Sequence, residues 1–275
     1  MENLTEPSLG PSGAVQGETP ALRMIALLEL ITTRDQLFTL QSLVDQTGIP
    51  KPTLHRMLQQ LESANLLTRH SDGRHYATGS RMRRLAEDTL LNDTRNGARN
   101  AILKDLVSQI GESCNVTALS GNEVIYLDRV ETTEPIRVHL GPGSRVPAHC
   151  SASGKLIVSQ FGTAQRERLL NNDRLTRFTA HTLTDYPALE FELARIRQQG
   201  YALDQQEYLD GLVCLAVLVP NASGRSNMCV AVQAPIMRKS AADLEDLLPL
   251  MQRAASDIAR IEDLTDNPEL QASGW

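Results

Sequence analysis

GIPKPTLHRMLQQLESANLL, residues 48–67, joins a single apolar stripe to an outward face of hydrogen-bonding groups. Leu54, Met57, Leu58 and Leu61 recur at i, i+3, i+4 and i+7, the spacing of one side of a helix. The opposite side collects Thr53, His55, Arg56, Gln59 and Gln60. Those groups suit base edges and phosphates, arginine toward guanine and glutamine toward adenine. Lys51 lies between Pro50 and Pro52, in a first turn where a missing amide breaks no intrahelical bond.

The surroundings of this helix point the same way. Upstream, an apolar helix is expected to begin near Pro20, and a second to start at Thr39, a good N-cap, and to close at Thr47-Gly48. Leu40, Leu43 and Val44 give the second helix one apolar face. Downstream, residues 66–70 and 74–78 read as two short strands joined by Ser71-Asp72-Gly73, a turn signal. Helix, helix, glycine turn, helix and basic hairpin spell a winged helix-turn-helix, with Arg69, Arg74 and His75 placed for flanking phosphates or the minor groove.

Charge distribution fits a polyanion partner although the chain of 275 residues carries net charge -6. Residues 48–84 hold seven Lys or Arg against two acids, a balance of +5 that leaves -11 elsewhere. A basic island on an acidic body confines the footprint to one module. The length suits two domains, each with its own core. The N-terminus is acidic and polar, unlike a signal peptide, and the longest apolar run, residues 212–219, is far short of the roughly 20 residues of a membrane span. A cytoplasmic protein with no membrane partner is expected. Cys114, Cys150, Cys214 and Cys229 form no Cys-x-x-Cys pair and read as reduced, mostly buried thiols.

Along the rest of the chain, residues 1–19 read as a disordered tail, 20–79 as the DNA-binding domain, 80–97 as a linker helix, 98–264 as a second domain and 265–275 as a C-terminal tail. Met82, Leu85, Ala86 and Thr89 give the linker a narrow stripe suited to a second copy of the chain. Strands are expected at CNVTALS, VIYLDRV and IRVHL, then at GYALD, LVCLAVLV and NMCVAVQA. Helices are expected from about Ser151, over 164–170 and 186–199, and from Ala241 to about Leu264. Hairpins interleaved with helices favour an α+β domain with an antiparallel sheet.

Three segments, GIPKPTLHRMLQQLESANLL, VPAHCSASGKLIVSQF and ELARIRQQGYALDQQEYLDGLVCLAVLV, together resemble the IclR family of bacterial transcriptional regulators over about residues 20–264. The resemblance implies a winged helix-turn-helix, a linker helix and a GAF-like or profilin-like effector domain, without a cofactor. It also implies a homodimer or homotetramer that binds a palindromic double-stranded operator beside a catabolic operon, with RNA polymerase a further candidate partner. Thr53, His55 and Arg56 fall at the family's reading positions. In the effector domain, Ser151, Ala152 and Ser153 match a helix start that offers backbone amides, and Asp204 and Cys214 match pocket positions. Val138, Leu140, Ala231 and Gln233 complete the candidate pocket. Amides at the positive end of a helix suit a carboxylate, although Ser151 also reads as a simple cap.

Two departures from the family pattern stand out. Ala231-Val232-Gln233-Ala234-Pro235 replaces a Ser-x-Ser-Gly-Pro run, so a methyl and a longer amide stand for two hydroxyls, implying a ligand other than the smallest keto acids. Ala64-Asn65 replaces a glycine turn, and asparagine tolerates the left-handed conformation. Two rival readings compete. His149, Cys150 and Ser151, with Cys214, could be a nucleophile or a metal site, but sequence neighbours rarely face one another and no second ligand pair follows. Alternatively the helix-turn-helix meets a protein, which would lack the steep salt dependence of phosphate contact.

Overall fold

The computed structural model describes residues 19–32, 37–91, 96–171, 175–221 and 224–266. Of the tails expected over 1–19 and 265–275, residues 1–18 and 267–275 lie outside these, as do 92–95 of the linker and the loop residues 222–223. The chain forms two units, divided between Asp88 and Thr89.

The first unit opens with α1 (Pro20–Thr32), then β1 (Phe38–Thr39), α2 (Leu40–Thr47) and α3 (Lys51–Ser63). Thr39 caps α2 by accepting from the Ser42 amide at 3.1 Å, and Gly48 closes it at φ 65°. Both choices follow from local chemistry: a side-chain oxygen satisfies an orphan amide, and glycine takes the left-handed residue without a Cβ clash. The wing strands β2 (Leu67–Arg69) and β3 (His75–Thr78) pair antiparallel, and β1 adds to the outer edge of β3. Leu54, Leu58 and Leu61 of α3 pack with Leu27, Leu43, Leu67 and Tyr76 in one core. Asn65 turns the chain after α3 at φ 58°, and Gly79 passes so close to it that a Cβ would lie 2.3 Å from the Asn65 carbonyl oxygen. The helix α4 (Ser80–Leu91) follows.

The second unit is a six-stranded sheet, every pair antiparallel, flanked by helices. Its strands are β4 (Ser113–Ser120), β5 (Glu123–Val130), β6 (Arg145–Pro147), β7 (Tyr201–Gln205), β8 (Leu212–Leu218) and β9 (Met228–Pro235), in the order β6-β5-β4-β9-β8-β7. One face, with Val116, Leu127, Leu203, Leu215 and Val232, is covered by α5 (Asn96–Ile110), α9 (Ala241–Glu245) and α10 (Leu248–Asp266). The other face, with Ala202, Cys214, Ala216 and Ala231, packs on α6 (Ala152–Ser159), against which α8 (Tyr186–Gln199) leans. Small residues on that face let α6 come close. Between α6 and α8 lie α7 (Thr163–Arg166) and a wide π turn, Glu167–Asn171.

Two sequence expectations need correction. Residues 136–140, IRVHL, are not a strand. The edge of β5 is taken by β6, and the carbonyls of Ile136 and Val138 accept instead from the guanidinium groups of Arg238 and Arg129. The final helix is two helices. The Ser240-Asp243 capping box starts α9, and Pro249 in the first turn of α10 has no amide to continue the earlier ladder.

Candidate nucleic-acid face and ligand cavity

On α3 the polar stripe stands outward as a unit. Lys51, His55, Arg56, Gln59 and Gln60 are exposed and Thr53 is half-buried, while Leu54, Met57, Leu58 and Leu61 are buried. On the wing, Arg74 is exposed and its amide donates to Asp72 Oδ1 at 2.9 Å. Asp72 also holds His75, 2.5 Å from its Nδ1, and these bonds keep the exposed carboxyl below the usual carboxylate range. Arg69 is committed within the protein: it donates to Tyr76 Oη at 2.7 Å and to Glu62 at 3.3 Å, with its guanidinium 5.0 Å from the Tyr76 ring. It braces the wing against α3.

In the second unit a cavity of about 20 Å³ is enclosed between the sheet and the start of α6. Its walls include Ser151, Ala152 and Ser153, Asp204 and Cys214, Ala231 and Gln233, and also Asn115, Thr117, Tyr126 and Tyr208. Ser151 caps α6, accepting from the Gly154 amide at 3.3 Å. Among the described residues nothing accepts from the amides of Ala152 and Ser153, which remain at the positive end of the helix. Gly154 is required there because a Cβ would lie 2.4 Å from the Ala148 backbone.

A register shift shapes the cavity floor. Asn115 pairs with Arg129 and Val116 with Asp128, but Thr117 pairs with Tyr126, so Leu127 is the extra residue of a bulge. The bulge reverses the alternation of β5. Tyr126 therefore lines the cavity and Arg129 stands on the same sheet face, while Asp128 turns to the other face and meets Arg99 of α5 at 2.6 Å.

The cavity's polar groups divide into engaged and unengaged. Gln233 is held at both ends, accepting from Arg129 through Oε1 and donating to Tyr126 Oη at 2.6 Å. Asp204 Oδ1 accepts the amides of Glu207 and Tyr208 at 2.7 and 3.4 Å. Burial, reinforced by nearby Glu207, still pushes the Asp204 carboxyl up to about 7. Glu207 is paired with buried Lys155, whose ammonium also lies 3.8 Å from Glu192. By contrast, neither polar atom of the Asn115 side chain has a partner, nor does Thr117 Oγ1.

The comparisons with known proteins fit this architecture. The family model for the bacterial transcriptional regulator IclR C-terminal domain matches residues 95–260, and that for the IclR helix-turn-helix domain matches 20–71. The chain belongs to the IclR family. Among its relatives, the probable transcriptional regulator SauR of Cupriavidus necator is 43% identical over 240 residues, 87% of this chain and 95% of that protein. A transcriptional regulator from Rhodococcus shares the fold at TM-score 0.60 and 24% identity, covering 88% of this chain and 96% of that one. The PobR inducer-binding domain from Acinetobacter, solved as a double mutant with 3-hydroxybenzoic acid, matches at TM-score 0.55 and 26% identity, over 60% of this chain and 97% of its own. This IclR-family chain is thus a DNA-binding transcriptional regulator with an effector domain. No helix among the described residues is long and apolar enough to cross a membrane.

Of the pocket residues expected from sequence, Ser151, Ala152, Ser153, Asp204, Cys214, Ala231 and Gln233 meet around the IclR-family cavity. Val138 and Leu140 do not line it, because their segment leaves the sheet; they pack beside it, and Val138 supplies a carbonyl to Arg129. Asn115, Thr117, Tyr126 and Tyr208 were missed. His149 donates from Nε2 to the Thr176 carbonyl, 3.0 Å away, and its pKa is lowered by burial. Burial pushes the Cys150 thiol up to about 12, leaving no thiolate at neutral pH. All four cysteines are free and buried, and no group of metal-ligating side chains occurs among the described residues.

Proposed function

We propose that this regulator binds a palindromic operator as a dimer or tetramer and controls a neighbouring catabolic operon in response to a small organic acid. The observation that carries the reading is the division of α3, whose exposed side gathers Lys51, His55, Arg56, Gln59 and Gln60 over a fully buried leucine and methionine stripe. These residues read base edges and phosphates, and Thr53 and Arg74 extend the surface. Arg69 acts indirectly, by holding the wing. Pairing of two copies is supported by α4, which carries Met82 and Leu85 yet buries no residue, Leu85 being 59% exposed. A two-fold protein calls for a two-fold site on DNA.

An acidic ligand is supported by the first-turn amides of α6 and by the 3-hydroxybenzoic acid that the PobR domain binds. The cavity has room for about one water molecule, so a ligand must part its walls, which gives it work to do on the fold. Regulation of this kind needs no turnover. RNA polymerase is the partner through which activation would act.

The test is a fluorescence-anisotropy titration of the gene's own upstream DNA with the parent and with Arg56→Ala. The parent binds with affinity that falls steeply as salt rises, and the variant loses about 1–3 kcal/mol per base contact. Equal binding by Arg56→Ala would remove α3 from the interface.

A further inference from the structure

We propose that the cavity holds a second anchoring point on its β4–β5 floor, built by Asn115 and Thr117 with the charge of Arg129 across the strand pair, which takes an anionic oxygen group. Its ligand is therefore a small acid with two acidic heads. This rests on the reading of the cavity as an organic-acid site, and adds what the acid must carry at its far end.

Asn115 is fully buried and Thr117 nearly so, and both line the cavity. Their three side-chain polar atoms have no hydrogen-bond partner, and a bound carboxylate would accept from two of them, Asn115 Nδ2 and Thr117 Oγ1, relieving their desolvation cost. The cross-strand register sets Asn115 opposite Arg129, which places their Cβ atoms about 5 Å apart. The Arg129 side chain is 2% exposed, and its Nε forms an ion pair with Glu131 at 3.5 Å without making a hydrogen bond. Its terminal nitrogens are fixed by Gln233 Oε1 and the Val138 carbonyl, which leaves Nε held in place rather than free to turn away.

The charge is only partly offset. Glu131 lies 3.5 Å from Arg129 Nε but is shared with Arg137 at 2.8 Å and His139 at 2.9 Å. An amide N–H and a hydroxyl thus face the cavity, with the Arg129 guanidinium across the strand pair from Asn115, a donor set suited to a carboxylate. The first-turn amides of Ala152 and Ser153 supply the other end. Asp204 stands in the same wall and opposes an anion while ionised; burial already favours its protonated form, in which it donates to the ligand.

The experiment uses the full chain and matched pairs of acids, propionate against succinate and benzoate against isophthalate, read by calorimetry and thermal shift. At least one two-headed acid should bind the parent about tenfold or more tighter than its one-headed match. Thr117→Val and Asn115→Leu should each abolish that advantage, bringing two-headed affinity down to that of the one-headed match. Ligand-free Thr117→Val should melt no lower than the parent, since only an orphan hydroxyl is lost; a hydroxyl with a purely structural role would lower the melting point. Two-headed acids that bind no better than their matches, or an advantage that survives both variants, would overturn the second anchor while the organic-acid reading stands. Failure of all four acids to bind would overturn that reading, and the anchor with it.

Discussion

Asp204 is 2% exposed, and its balance of forces makes the chain's stability depend on pH. The two amides on Oδ1 favour the carboxylate, but burial and Glu207 outweigh them, and the group titrates near 7 in the fold. An unfolded aspartate titrates at about 3.9. Between those values the native state binds a proton that the unfolded state has released, so stability is greatest below the unfolded value and falls as pH rises through the folded one. Asp204→Asn keeps an oxygen for both amides and removes the charge. It should therefore be more stable than the parent by more than about 1 kcal/mol at pH 8, with the difference shrinking toward pH 4. Urea denaturation at both pH values measures this, and a difference that did not change with pH would exclude Asp204 as the titrating group.

At the scale of elements, α6 decides the cavity, since all eight of its residues are buried and its start forms one wall. A methyl at Gly154 would meet Ala148 Cα and O at 2.4 Å and Ser151 Oγ at 2.6 Å, all but the last being backbone. Gly154→Ala should cost about 1–3 kcal/mol of stability and displace the amides that face the cavity. Denaturation together with acid titration checks both, and a fully stable Gly154→Ala would mean that the junction is looser than its packing implies. The helices around residues 39–63 were legible because cap, left-handed glycine and apolar stripe act locally. CNVTALS was legible as a strand, β4, but its surroundings were not. Cys114, Val116 and Ala118 alternate with Asn115 and Thr117, and residues 113–118 are buried on both sides. The polar face therefore turns to a cavity, which a pattern of period two cannot distinguish from solvent. IRVHL carries the same alternation but finds no free edge, and the bulge at Leu127 has no glycine to announce it.

For the whole molecule the question is how a ligand in one unit alters DNA binding by the other, each unit having its own core. A ligand moves an equilibrium only by its differential affinity for the two states, and the resulting coupling is reciprocal. An acid bound beside α6 must part the cavity walls, and α4 is the segment of chain through which the two units are joined. If the operator Kd changes by some factor on saturating with acid, the acid's Kd must change by that same factor on saturating with operator. For couplings of ordinary size the factor is about 5 to 150. Titrating each ligand in the presence and absence of the other measures both ratios. The double substitution of Asn115→Leu with Thr117→Val should shrink the acid's effect on operator affinity at a fixed, subsaturating acid concentration while leaving operator affinity without acid unchanged. An acid that binds the cavity and leaves operator affinity untouched would separate the cavity from control of DNA.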